Sequence, residues 1–286
     1  MFTNRISRFK LIVLSLLFVF LFGFADAQSW SVSRNTVSMS MSAIVYIESV
    51  YQSPAGDADT LTGTAFLIAD SSKVYLVTAK HLVIAALTGK NQQLANNSIF
   101  ISASWKSEDK GMKILNLSGW SIRKRPFVFS SDNEDIAIIS FQKNKYKKIL
   151  AAILKQECKP ISIEAFDTAD HYPGDSFFLP AYETLIDNEG KKIRSKGISP
   201  GKIKTFNHAL PSFTIDHYIN QSNNGSPIIL NDKVIGILSN EDGILTNKDI
   251  IREPYRTAKS ATVTKASFIL SLLRKLQQNE NMPAFN

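Results

Sequence analysis

The sequence predicts an all-β fold of the antiparallel sandwich or barrel type, closed by a helix near the C-terminus. Short β-patterned runs recur along most of the chain and are separated by turn-forming residues. Strands and helices do not alternate regularly, as they do in parallel α/β sheets. The 286 residues are 44% hydrophobic and 20% charged, which is ordinary for a globular protein and excludes disordered, collagen-like and coiled-coil chains.

The first half of the chain consists of β-patterned runs followed by a helical connector. The runs are Ala43 to Val50, Thr64 to Ile68, Val74 to Thr78, Ser98 to Ala103, Lys113 to Leu117, Phe127 to Phe129 and Ile136 to Phe141. From Tyr146 to Glu157 the apolar residues repeat at helical spacing among lysines. This change of period predicts a helix between two β-rich blocks.

A second β-rich block and an amphipathic helix complete the chain. The runs are Ile161 to Phe166, Ser176 to Leu179, Ile203 to Phe206, Phe213 to Asp216, Pro227 to Leu230 and Val234 to Leu238. One apolar stripe predicts the final helix and comprises Val263, Ala266, Ile269, Leu270, Leu272, Leu273 and Leu276. The polar residues from Gln278 onward are expected to fray.

Residues 1–27 predict a secretory signal peptide that is cut before Gln28. The segment has a basic head with Arg5, Arg8 and Lys10, an apolar run from Leu11 to Phe24, and the small-x-small site Ala25-Asp26-Ala27. An uncleaved membrane anchor is the alternative, although the run is shorter than the roughly 20 residues that span a bilayer. We therefore expect a secreted or periplasmic protein that has no stable membrane insertion after cleavage.

The charge and the cysteine content exclude several classes of site. The net charge is +8, and the basic runs Arg123-Lys124-Arg125 and Lys143 to Lys148 are not accompanied by stacking aromatic residues. We interpret them as solvated surface and expect no nucleic-acid partner. The single cysteine, Cys158, excludes an intrachain disulfide and a cysteine-based metal cluster. No metal and no cofactor are expected.

Three stretches bring together residue types that suit nucleophilic catalysis. Gly63 to Ile68 and Val74 to His81 predict two strands, with a histidine where the second strand ends. Asp135 opens a third strand. Asn223 to Ile229 predicts a tight, glycine-containing loop that leads into a strand. A histidine, a carboxylate and a loop that presents a nucleophile are the parts that an activated serine needs.

The chain resembles the trypsin-like (chymotrypsin-fold) serine peptidases, in particular their bacterial secreted branch without disulfides. The resemblance lies in the motifs G-T-A-F-L-I, T-A-K-H, D-I-A and N-N-G-S-P, and it extends roughly from Ala43 to Leu276. It implies two antiparallel six-stranded β-barrels with a C-terminal α-helix. The expected organisation is a signal peptide (1–27), an N-terminal barrel (28–145), a helical connector (146–160) and a C-terminal barrel with the helix (161–286).

The same resemblance implies the roles of the candidate residues and the kind of ligand. His81 corresponds to the general base and Asp135 to the carboxylate that orients it. The substrate or ligand is expected to be a peptide or a protein, and the oligomeric state is left open. The other histidines, His171, His208 and His217, match no motif and are expected at the surface or in turns.

The loop departs from the family pattern at its most important position. Aligned with the pattern G-D-S-G-S-P, the chain has Asn224 at the nucleophile and Ser222 where an oxyanion-hole glycine is usual, whereas Gly225 is retained. A carboxamide has no ionisable hydroxyl and forms no acyl-enzyme. The sequence therefore predicts an exported peptidase homologue without activity, that is, a pseudopeptidase.

Two alternatives remain open at the level of sequence. The chain is an active serine endopeptidase if Ser222 is the nucleophile, or if the natural gene encodes serine at position 224. It is an unrelated β-barrel binding domain if His81 and Asp135 lie far apart. The distance between these two side chains distinguishes the second alternative from the peptidase-like interpretation.

Overall fold

A computed structural model describes residues 34–52, 58–88, 98–103, 112–118, 125–131, 134–186, 192–217, 221–239 and 260–281. The predicted signal peptide lies outside these residues. The described residues from Asn35 onward form one compact unit.

An eight-stranded sheet forms the N-terminal half, after helix α1 (Arg34–Ala43). Its strands are β1 (Ile44–Gln52), β2 (Ala58–Asp70), β3 (Lys73–Thr78), β4 (Ser98–Ser102), β5 (Lys113–Asn116), β6 (Phe127–Phe129), β7 (Ala137–Ser140) and β8 (Ile161–Ser162). Helix α2 (Lys80–Thr88) follows β3, and helix α3 (Asn144–Leu154) follows β7.

The strand order β5-β4-β1-β2-β3-β7-β6 places the two candidate side chains beside each other. Neighbouring strands on this path are antiparallel, and β8 pairs with β2 in parallel. At the junction of β3 and β7, Thr78 is paired with Ala137. Because one strand ends there and the other begins there, His81 and Asp135 extend from the same edge of the sheet.

A closed six-stranded barrel forms the C-terminal half. Its strands are β9 (Ser176–Ile186), β10 (Lys192–Thr205), β11 (Ser212–Asp216), β12 (Pro227–Leu230), β13 (Lys233–Ser239) and β14 (Ala261–Lys265). The closed order is β10-β11-β14-β13-β12-β9. Helix α4 (Ala266–Asn281) follows β14 directly.

Successive side chains of β2 are buried on opposite faces of the N-terminal sheet. Ala65 and Leu67 pack into one core with α2 and α3, whereas Phe66 and Ile68 pack into a second core. Successive side chains of a strand point to opposite faces, so a strand that is apolar throughout is buried on both sides. The second core joins the sheet to the barrel and to α4, and it includes Ile269 of that helix.

The predicted fold class is confirmed, and several details differ. The structure has a closed six-stranded barrel and a C-terminal helix, but the N-terminal sheet has eight strands instead of six. Val263, predicted to be part of the helical stripe, lies on β14, since it pairs with Phe213 and Leu238 on either side. The helix begins at Ala266. Among the residues described, no helix is long and apolar enough to span a bilayer.

Candidate functional site

The first turn of α2 presents His81 at the surface. On the same helix Leu82, Val83 and Ala86 are fully buried in the core of the N-terminal sheet. The opposite side of the turn therefore faces outward, and the His81 side chain is 23% exposed. Burial of the apolar face thus determines the direction in which the imidazole points.

Asp135 holds His81 through two hydrogen bonds. Its Oδ2 lies 2.7 Å from His81 Nδ1, and its Oδ1 accepts from the His81 backbone N–H at 2.8 Å. An ionised carboxylate only accepts hydrogen bonds, so Nδ1 carries the proton and Nε2 of the neutral ring holds a lone pair. This tautomer is the one that a general base requires.

Ser130 fixes the backbone around Asp135. Its N–H donates to the Ile136 carbonyl at 3.0 Å, and its hydroxyl accepts from the Ile136 N–H at 3.1 Å. The same hydroxyl also contacts the Glu134 carbonyl at 2.5 Å. Both peptide units that flank Asp135 are therefore held, and with them the direction of its side chain.

Gly225 gives the candidate nucleophile loop its sharp turn. Its φ is +85°, and its N–H donates to the Leu238 carbonyl at 2.9 Å. A Cβ at this position would lie 2.1 Å from the Thr64 carbonyl oxygen and 3.0 Å from the Ala79 nitrogen. Only glycine fits, because a side chain would be strained in conformation and would clash with backbone atoms.

Thr64 of β2 attaches the loop to the N-terminal sheet. Its N–H donates to the Asn224 carbonyl at 2.8 Å, and its hydroxyl donates to the Ser222 carbonyl at 2.7 Å. The hydroxyl also accepts from the Tyr182 N–H at 2.9 Å. Thr78, at the end of β3, donates to the Thr64 carbonyl at 3.0 Å. The loop is thus linked to the strand that leads to His81.

Asn224 lies against the turn that carries His81. A Cβ placed on Gly63 would lie 2.9 Å from the Asn224 carbonyl oxygen and 2.3 Å from Leu82 Cδ1. Leu82 directly follows His81, so the Asn224 backbone and the first turn of α2 both pack closely against Gly63. The structure therefore places the His81 and Asp135 side chains in contact, and the Asn224 backbone close to the turn that carries His81.

The side chains of the loop are almost completely enclosed. Asn224 is 5% exposed, and its Oδ1 is buried without a hydrogen-bond partner among the described residues. Ser226 is fully buried, and its hydroxyl also has no partner there. Ser222 is 3% exposed. Asn224 therefore places a carboxamide in this loop whose oxygen has no partner among the described residues.

The remaining histidines lie elsewhere, and one of them is not where it was expected. His171 is buried, because its ring packs edge-on against Phe206 with the ring centres 5.8 Å apart. His208 is exposed and contacts Asp170 at 2.6 Å. His217 lies 3.0 Å from the Ser199 hydroxyl, and burial lowers its pKa. In the part of the chain that the structure describes, no three His, Cys, Asp or Glu side chains are grouped for a metal ion.

The connections made by Ser130, Thr64 and Tyr182 were not predicted from the sequence. Tyr182 is 118 residues from Thr64, and Ser222 is 158 residues from it. Thr64 is part of the G-T-A-F motif, which was recognised only as a strand. A hydroxyl that joins two such distant segments leaves no local pattern in a sequence.

Comparisons with known proteins give likenesses of structure alone. No protein-family model matches the chain, and no curated protein is similar to it in sequence. The crystal structure of the serine endoprotease from Yersinia pestis is 13% identical, with a TM-score of 0.49, over 87% of this chain and 68% of that chain. A structure of the HtrA-type protease AlgW, a variant with a decapeptide, is 13% identical with a TM-score of 0.48, over 87% and 67%.

Proposed function

We propose that this chain is an exported homologue of trypsin-like serine peptidases that binds a peptide or protein segment without hydrolysing it. One observation carries the proposal. The His81 and Asp135 side chains are 2.7 Å apart, and the loop that aligns with the nucleophile loop of the family has Asn224 in place of the serine. In a barrel unrelated to peptidases, nothing would require a histidine Nδ1 to face an aspartate beside this loop.

The chemistry of the carboxamide explains the expected lack of turnover. Its nitrogen lone pair is delocalised, and it has no hydroxyl from which His81 can take a proton. Loss of the serine from a comparable triad lowers turnover by about a millionfold, and what remains comes from binding and the oxyanion hole. The site is thus expected to hold a substrate-like segment and to leave its peptide bonds intact.

Labelling with a fluorophosphonate probe, together with hydrolysis of fluorescein-labelled casein, tests the absence of activity. We expect the wild-type chain and the His81→Ala variant to give the same background in both assays, because neither has an activated hydroxyl. Binding of the labelled casein is measured in the same samples by fluorescence anisotropy. Turnover by the wild type that is lost in His81→Ala would overturn the proposal. Loss of that turnover in Ser222→Ala would assign the nucleophile to Ser222.

Export is the second part of the proposal, and it is supported by the pattern of residues 1–27. Expression of the full chain in a bacterium, followed by N-terminal sequencing of the product, tests it. We expect the product to begin at Gln28 and to be recovered outside the cytoplasm. A product that keeps Met1 to Ala27 and sediments with the membrane would support the anchor instead.

A further inference from the structure

We propose that a cavity at the start of α4 binds a small zwitterion, namely a free α-amino acid. The cavity has a volume of about 170 Å³. Its lining consists of residues 167–171, Phe206, residues 208–210, Ile235 and residues 265–268. None of His81, Asp135 and Asn224 lines it. The inference therefore goes beyond the proposed function and does not depend on it.

The start of α4 gives the cavity a positive end. The first turn of the helix has no acidic residue, and the side chain of Lys265, which precedes the helix, only donates hydrogen bonds. The N–H groups of this turn carry partial positive charge and receive no cap from that side chain. The Lys265 ammonium adds a full charge, 4.4 Å from the centre of the Phe206 ring and 2.7 Å from the Asn207 carbonyl. A carboxylate is the ligand group that both the helix and the ammonium favour.

Two aspartates give the same cavity a negative end. Asp167 Oδ1 accepts from the Ala169 N–H at 2.8 Å, and Asp170 Oδ1 lies 2.6 Å from His208 Nδ1. These contacts use one oxygen of each carboxylate, and the second oxygen is not part of them. Burial lowers the pKa of Lys265 and the Asp170 carboxylate acts against this, so the two ends are close enough to interact. A small ligand that bridges them needs both a carboxylate and an ammonium group.

His171 has a buried polar atom that the protein itself does not satisfy. The residue is 6% exposed, its ring lines the cavity, and its Nε2 has no hydrogen-bond partner among the described residues. The ring packs edge-on against Phe206, the same ring that Lys265 contacts. A buried polar group without a partner is unfavourable, so a ligand that hydrogen-bonds to it gains affinity. The Nε2 of a neutral imidazole has either a proton or a lone pair, and it therefore suits either charged group of a zwitterion.

The apolar part of the lining limits the size of the ligand. Ile235 is buried, and Phe206 and Phe268 are half-buried. A cavity of about 150 Å³ is enough to hold a benzene molecule, so one of about 170 Å³ accommodates an amino acid but not a longer peptide. The two charged groups of an α-amino acid share one carbon atom. Such a ligand can therefore contact both ends and still place its side chain against the phenylalanines.

Isothermal titration calorimetry on the full chain tests the inference, after a thermal-shift screen of the twenty free amino acids has selected the probe. The selected amino acid is compared with its N-acetyl derivative, which has no ammonium group, and with its amide, which has no carboxylate. Inorganic phosphate is the control for a site that takes any oxyanion. We expect the free amino acid to bind at least about tenfold more tightly than the other three ligands, because each of these lacks a charged hydrogen bond at one end.

Two substitutions test whether the binding takes place in this cavity. Lys265→Met removes the positive charge. Asp167→Asn removes a negative charge but keeps the oxygen that accepts from the Ala169 N–H, so the turn is preserved. We expect each variant to bind the selected amino acid at least about tenfold more weakly than the wild type.

Two further substitutions are the matched controls, because they change similar groups that do not line the cavity. Lys233 also donates to a backbone carbonyl, that of Glu164, at 3.0 Å. Asp175 also accepts from a backbone N–H, that of Tyr172, at 2.9 Å. We expect Lys233→Met and Asp175→Asn to keep the affinity within about twofold of the wild type.

The contrary outcomes are separate from those of the tests of the proposed function. If none of the twenty amino acids raises the Tm or is bound, the inference is wrong. Equal binding of the blocked forms, or tighter binding of phosphate, would overturn the zwitterion. Affinity that survives both Lys265→Met and Asp167→Asn would place the binding elsewhere and overturn the site. If Lys265→Met does not fold, Asp167→Asn and the blocked forms still decide. None of these results changes what is expected of peptide binding near His81.

Discussion

The His81–Asp135 pair and the loop from Ser222 to Pro227 are held in place by different kinds of group. The pair has both its side chains and the Ser130 contacts that position them. The loop is held through its backbone, by the turn at Gly225 and by its attachment to β2. The difference shows that the shape of the loop is built by backbone groups, Gly225 and Thr64, and does not depend on the side chain at position 224.

The difference between the loop backbone and the side chain at position 224 has a physical reason. Gly225 and Thr64 are parts of the interface between the two halves of the chain, so changing them leaves buried polar groups unpaired or atoms in collision. The side chain of Asn224 makes no hydrogen bond within the described residues through its Oδ1. The hydrogen bonds among the described residues therefore hold the loop backbone, whereas the Asn224 Oδ1 contributes none.

Substitution of Gly225 is expected to have the largest effect on stability. Gly225→Ala should lower the free energy of unfolding by about 3 to 5 kcal/mol, because it adds a collision with the Thr64 carbonyl to an unfavourable φ. Gly174→Ala is the matched control, since Gly174 has a φ of +96° and no atom within 4 Å of an added Cβ. It should cost about 1 kcal/mol. Urea denaturation measures both variants. If Gly225→Ala and Gly174→Ala lower the free energy of unfolding equally, the loop is not tightly packed around Gly225.

Removal of the Thr64 hydroxyl is expected to have the next largest effect. Thr64→Val should lower the free energy of unfolding by about 2 to 4 kcal/mol, because the Ser222 carbonyl and the Tyr182 N–H lose their shared partner in a buried place. Thr64→Ser keeps the hydroxyl and should cost less than half as much. If the two variants unfold at the same urea concentration, the hydroxyl does not hold the loop.

Changes to the His81–Asp135 pair are expected to affect stability least. Asp135→Asn should lower the free energy of unfolding by about 1 to 2 kcal/mol, because an amide cannot accept both N–H groups of His81 as a carboxylate does. Asp170→Asn, which changes the exposed partner of His208, should cost less than about 0.5 kcal/mol. If Asp135→Asn lowers the free energy of unfolding more than Thr64→Val does, the pair contributes more to stability than the attachment of the loop, contrary to this expectation.

The sequence predicted the strands and the three motifs because both leave local patterns. The run of Pro227 to Leu230 matches a strand of the structure, whereas the run of Thr64 to Ile68 covers only part of β2 (Ala58–Asp70). Val263 was misplaced because an apolar residue every third or fourth position also occurs where a strand passes directly into a helix. His171 was misplaced because its burial depends on Phe206, which is distant in the sequence.

The sequence pointed to the candidate residues of the site, but not to the residues that hold them in position. His81 and Asp135 were found from motif order, and the structure places their side chains in contact. The assignment of Asn224 to the nucleophile position stays a prediction from the sequence. The connections through Thr64 and Ser130 depend on hydroxyl groups, which have no distinctive pattern along the chain. Residues that position a site are therefore harder to find in a sequence than residues that act in it.

The rate of fluorophosphonate labelling of the Asn224→Ser variant tests most directly whether the loop has kept a functional shape. We predict that this single change allows labelling, that His81→Ala in the same background abolishes it, and that adding Ser222→Gly raises the rate by no more than about tenfold. A folded Asn224→Ser variant that is labelled no faster than the wild type would contradict the account, because the backbone of the loop would then have lost its shape together with the nucleophile.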